Sequence, residues 1–189
     1  IPFVGEYGIS KNPESFASES YRAYFTDKQR GAVLRLSQDG LTAVSEAGMR
    51  TYFKDKLKED AINIIGSYDD YKKDFNLTID GGEGTLEDSV TLTFSEDVRG
   101  WTSFKSFVPE SGLSMANNYY TFKEGKLWKH HDKNVARNSF YGNTNNSTLT
   151  TIFNDLPGTM KNFSNLGYQG KADWFCSEIK TEKQSGSIE

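Results

Sequence analysis

Val90-Thr91-Leu92-Thr93-Phe94 alternates apolar and polar side chains without a break. A strand points successive side chains to opposite faces, so this period of two is what a strand with one apolar face requires. The same pattern recurs about every ten residues, with Gly- and Asp-bearing turns between the runs, and this spacing suggests a sandwich, barrel or propeller. Tyr21 to Phe25 and Ala32 to Leu36 flank the polar turn Thr26-Asp27-Lys28-Gln29-Arg30-Gly31 and form an expected β-hairpin. Asn117 to Phe122 and Leu127 to His130 flank Lys123-Glu124-Gly125-Lys126 and form a second. Further strands are expected at Leu41 to Val44, Ala61 to Gly66, Asp74 to Ile79, Trp101 to Phe107, Thr148 to Phe153 and Trp174 to Ile179. Asp80 to Gly84 reads as a linker and Asn143 to Asn146 as a loop.

One segment departs from this period. Met49, Tyr52, Phe53 and Leu57 recur at helical spacing behind Ser45, a good N-cap, and predict a short helix over Met49 to Lys58. The expected fold is therefore mainly β, with propeller-like antiparallel sheets amounting to a partial propeller and one short helix. Residues 1–20 read as an irregular lead-in and 21–189 as the β-rich domain. The chain opens on Ile-Pro-Phe and closes on Gly186-Ser187-Ile188-Glu189, which reads as a segment of something longer.

Composition excludes several functions. No apolar run approaches the roughly 20 residues of a membrane-spanning helix, so no membrane insertion is expected. The formal net charge is -4. Lys54, Lys56 and Lys58 are interleaved with Asp55, Glu59 and Asp60, so no positive field builds up and direct nucleic-acid binding is not expected. The single cysteine, Cys176, rules out a disulfide within the chain and any multi-thiolate metal site. It reads as a small half-buried side chain, with no nearby cation to activate it. Aromatic residues make up 14% of the sequence, enough large rings to build a core despite modest aliphatic content.

Few residues offer chemistry. His130 and His131 are adjacent, so on a strand they face opposite ways and would not chelate one ion; they read as a polar strand end before Asp132. Asp69-Asp70 and Glu96-Asp97 are paired carboxylates, which glycosidases need across one cleft, but acidic pairs in turns are equally ordinary. No nucleophile–base grouping, phosphate loop or metal motif is present, so no catalytic residue, cofactor or metal is expected. Trp101, Tyr119, Tyr120, Trp128 and Trp174 are the candidate ligand or interface aromatics. They sit at alternating positions that core packing also explains.

A series of blocks then resembles a known family. It begins with Tyr24-Phe25-Thr26-Asp27, Arg30-Gly31-Ala32-Val33-Leu34-Arg35-Leu36-Ser37, Gly48-Met49 and Gly66-Ser67-Tyr68-Asp69. It continues through Phe75-Asn76-Leu77-Thr78, Gly100-Trp101-Thr102-Ser103-Phe104, Asn118-Tyr119-Tyr120-Thr121-Phe122, Gly125-Lys126-Leu127-Trp128 and Phe153-Asn154-Asp155-Leu156-Pro157. Over residues 15–189 the order resembles large virion structural proteins of tailed phages, both T4-like marine and crAss-like. The resemblance implies a propeller-like body in a tail, baseplate or neck, present in many copies within the particle. It implies other virion proteins and symmetry copies of the chain as partners, and transfers no catalytic residue. The alternative is a receptor- or glycan-binding module of a tail appendage, with a host surface glycan as its ligand.

Overall fold

The computed structural model describes residues 6–9, 11–59, 61–81, 89–170, 174–181 and 185–186. The expected linker over Asp80 to Gly84 falls partly outside these residues, as do Ile1 to Gly5 of the lead-in and the closing Ser187 to Glu189. The chain divides into two units, residues 1–148 and 149–189.

The first unit is mainly antiparallel β with one helix. Strands β1 (Ala17–Ser18), β2 (Ala23–Asp27), β3 (Ala32–Ser37) and β4 (Gly40–Ala43) form a four-stranded meander. Its first hairpin closes because Asp27, buried at the end of β2, accepts the Arg30 N–H at 3.0 Å. Gly31 at φ +66° then completes the turn, with the backbone of Lys54 pressed where a side chain would be. Helix α1 (Arg50–Glu59) turns Phe53 and Leu57 into the core.

A second meander follows: β5 (Asn63–Asp69), β6 (Asp74–Asp80), β7 (Val90–Ser95) and β8 (Gly100–Lys105). Cross-strand pairing fixes its two faces. On one face lie Ile64, Phe75, Leu77, Ile79, Leu92 and Phe94, which pack against Tyr24, Val33, Phe53 and Leu57 as a single apolar core. On the other lie Ser67, Asp69, Asn76, Thr78, Thr91 and Thr93, also buried. A register shift between Thr93 and Phe94 leaves Thr102 opposite neither, so Trp101 pairs with Phe94 on the apolar face while Ser103 and Lys105 join the polar one. This β-bulge resets the alternation within one strand.

A three-stranded sheet of β9 (Ser111–Met115), β10 (Asn118–Lys123) and β11 (Lys126–Lys129) covers the polar face. It is anchored along β5, where the Ser114 hydroxyl donates to the Tyr68 carbonyl at 2.8 Å and accepts from the Asp70 N–H at 2.9 Å. The two-residue strands β12 (Ser139–Phe140) and β13 (Asn143–Thr144) complete the unit. The expected lead-in is joined to the sheets: Ala17–Ser18 pairs with β2, and the 3-10 turn Pro13–Ser15 packs on β5.

The second unit has little regular structure among its described residues. The pair β14 (Ile179–Lys180) and β15 (Ser185–Gly186) is its one ladder there. The expected strand over Thr148 to Phe153 is absent, and that over Trp174 to Ile179 shrinks to Ile179 and Lys180. Leu149, Ile152, Phe153, Leu156, Met160 and Phe175 are all exposed.

Close approach makes Gly66 a sharp test of this packing. A Cβ there would sit 2.1 Å from the Ser15 carbonyl oxygen, which is backbone and cannot swing aside. Gly66→Ala should destabilise the fold by roughly 2 kcal/mol or more, as overpacking does, read as a lower midpoint in urea unfolding. Gly8→Ala, with nothing within 4 Å, should leave that midpoint unchanged.

Candidate functional site

The β9–β11 sheet has two unlike faces. Its inner face closes on the polar face of the β5–β8 sheet and assembles the titratable groups that lie far apart in the sequence. Asp69, at the end of β5, has no exposure. It accepts the backbone N–H groups of Tyr71 and Lys72 at 3.0 and 3.1 Å, and meets the His131 ring at 2.6 Å. Burial alone would raise its pKa; the bonds from His131 and Lys72 outweigh that and hold it below the ordinary carboxylate value. His131 sits in the left-handed region at φ 63° and stacks on Tyr71 with 5.2 Å between centroids. Asp69 is thus a structural cap for its own turn, tied to a histidine 62 residues away.

His130 turns the other way, into the seam. It pairs with the Thr121 hydroxyl at 2.7 Å through Nε2 and packs on the Phe107 and Tyr119 rings. Burial, reinforced by neighbouring His131, pushes its pKa down to about 4. Tyr119 is buried, with its hydroxyl 2.7 Å from the Ser67 hydroxyl. Gly112 allows this approach, since a Cβ there would lie 2.9 Å from Ser67 Cβ. On the β-sheet side, Thr93 donates to Asn76 Oδ1 at 2.8 Å and the Lys105 ammonium reaches the same oxygen at 3.1 Å. Burial lowers the Lys105 pKa, with Asp74 and then Asp69 pushing it back up. Burial likewise raises that of Asp74.

The outer face of the sheet is apolar. Leu113 pairs with Tyr120, Phe122 with Leu127, and Met115 with Asn118, so these side chains share the side turned away from the seam. Leu113, Met115, Phe122 and Leu127 are exposed and Tyr120 is half-buried. Contiguous exposed apolar side chains on a sheet mark an interaction surface. Lys129 stands opposite Tyr120 on this same face, and Lys123 and Lys126 pair with each other at the hairpin end.

The five candidate aromatics fall in four different places. Trp101 lies on the apolar core face, tilted against Phe53 with 4.5 Å between ring centroids, with its indole N–H donating to the Val44 carbonyl at 3.0 Å. Tyr119 is in the seam, and Trp128 packs inward against Tyr141 at 5.4 Å. Tyr120 alone of the four in the first unit is on the outer face, and Trp174 is exposed in the second unit. The four in the first unit share no ring platform. Of the acidic pairs, Glu96 is engaged by Tyr24 at 2.8 Å and by Arg35 at 2.7 Å, a tie between the first two sheets. No cluster of three or more metal-ligating side chains occurs among the described residues.

The family described as Crassvirus muzzle protein matches residues 5–125, well over half of the chain. A search of curated proteins returned no match. The matched span runs from the N-terminal segment through β10 and so includes both meander sheets and most of the third.

The seam predicts a pH dependence. The unfolded chain takes up a proton at His130 near its ordinary 6.5, whereas the folded chain waits until about 4. Unfolding therefore binds a proton between those values, and stability is lost as pH falls through that window, by roughly 3 kcal/mol at most. Urea midpoints measured from pH 7 to pH 4 should fall, and His130→Gln should flatten the fall.

Proposed function

The chain belongs to the Crassvirus muzzle protein family, and from that premise we propose that it helps assemble the tail region of the particle by docking its outer β9–β11 face onto other virion proteins. The family is one of phage virion structural proteins, on the crAss-like side of the two phage groups the sequence resembles. Leu113, Met115, Tyr120, Phe122 and Leu127 on one sheet face carry the reading. Aliphatic and thioether side chains mixed with rings suit a protein partner, whose apolar residues interdigitate with them. A sugar would want aromatic faces instead, and only Tyr120 of the candidate rings is on this surface.

The second unit supports the same reading by itself. An irregular segment bearing Ile152, Phe153, Met160 and Phe175 exposed gains order when a partner buries those side chains. The role is one of binding, with no catalytic residue assigned. Two successive four-stranded meanders have the strand count and order of propeller blades, and copies of the chain are natural neighbours in a particle with symmetry. The glycan-binding alternative rests on Tyr120 and Trp174, in different units.

The double variant Phe122→Glu, Leu127→Glu places two charges on the outer face without touching the seam. Co-purification with the other virion proteins should weaken by roughly 30-fold, the loss of one hot spot of about 2 kcal/mol, while the thermal midpoint stays put. Undiminished incorporation into particles would sink the assignment of this face, and glycan-array binding abolished by Tyr120→Ala would favour the alternative.

A further inference from the structure

The polar seam brings a lysine, an asparagine and carboxylates together across three strands. Lys105 Nζ lies 3.1 Å from Asn76 Oδ1, on strands separated by β7, and both side chains are on the buried polar face. Asn76 has no exposure; its side chain faces the Tyr119 hydroxyl, but its Nδ2 makes no bond of good hydrogen-bond geometry among the described residues. A buried amide nitrogen left in that condition costs free energy and is not explained by packing. The bulge at Thr102 is what brings Lys105 to this face.

We propose that Lys105 and Asn76 become joined by a side-chain amide bond that the folded chain forms within itself. The uncharged Lys105 amine attacks Cγ of Asn76, so that an Nζ–Cγ bond forms and the Cγ–Nδ2 bond breaks. One proton passes from Nζ to Nδ2, which departs as ammonia; nothing is oxidised or reduced. Each requirement has a residue to meet it. Burial favours the neutral amine. The Thr93 hydroxyl, donating to Oδ1 at 2.8 Å, polarises the carbonyl and supports the oxygen as charge gathers on it. Asp74 lies two residues from Asn76 on the same face of β6 and acts on Lys105 electrostatically. Its carboxyl holds its proton more readily than usual, so it relays one between the two nitrogens. The covering sheet keeps water from Asn76, with Tyr119 buried over the face and Phe107 beneath the half-buried Lys105 ammonium at 5.8 Å from its centroid.

The test is the intact mass of the purified 21.3 kDa chain under denaturing conditions. The linked chain weighs one ammonia less than its sequence. Tryptic digestion then leaves the bond after Lys105 uncut and yields one branched species carrying both Asn76 and Lys105. Lys105→Arg keeps a cation in the seam and should restore the full sequence mass. A wild-type chain at full mass overturns the proposal. So does an ammonia loss confined to a cyclised Asn76 with Lys105 still cleaved, or one that persists in Lys105→Arg.

Discussion

The architecture of the first unit depends on burying a polar sheet face. Five hydroxyl- or amide-bearing side chains, Ser67, Asn76, Thr78, Thr91 and Thr93, lie out of water on β5, β6 and β7. Each must find a partner within the protein or cost the desolvation of an unpaired group. Thr78 pairs with Thr91 at 2.7 Å, Thr91 reaches the Phe107 carbonyl at 2.5 Å, and Ser67 meets Tyr119. Two of these partners come from outside the β5–β8 sheet. The covering sheet is consequently held by directional bonds as well as by area, and its register on the sheet below is specified atom by atom.

The opposite face is joined to the rest of the unit by different physics. There the apolar core sets β2, β3 and α1 against the second sheet, and one carboxylate locks the arrangement at its edge. Glu96, in the turn between β7 and β8, accepts from the Tyr24 hydroxyl and the Arg35 guanidinium, with Arg22 3.9 Å away. Glu19 in turn holds Arg22 at 2.7 Å. Half-buried pairs of this sort specify which turn meets which sheet more than they add stability.

Much of the fold was legible because the first hairpin, α1 and the strands from Asn63 to Phe94 follow their periods cleanly. The seam was not, for a physical reason. Asn76, Thr78, Thr91 and Thr93 occupy the polar positions of alternating strands, and alternation cannot tell water from a second polar surface. Tyr119 and Tyr120 are adjacent, so one faces in and the other out, and nothing local says which. In the run from Trp101 to Phe107 the apolar residues fall at every third position, a spacing that fits no simple strand period; the bulge is what puts Trp101 and Phe104 on one face and Lys105 on the other. Asp69 and His131 meet only through the placement of β9 along β5. Thr148 to Phe153 has the composition of a strand but, among the described residues, pairs with no other strand, and strand composition without a partner yields no sheet.

The order of the strands has a temporal consequence. Within each of the three main sheets of the first unit, every strand pairs with the one just before or just after it in the chain. Such pairings close short loops, which keeps contact order low for a β protein and shortens the search for native partners. As the chain leaves the ribosome, the first meander can close before the second has been synthesised, and the second before its cover arrives. Until β9–β11 emerges, however, the polar face of β5–β8 stays wet, so the last of the three main sheets to be made is the one that dries the seam.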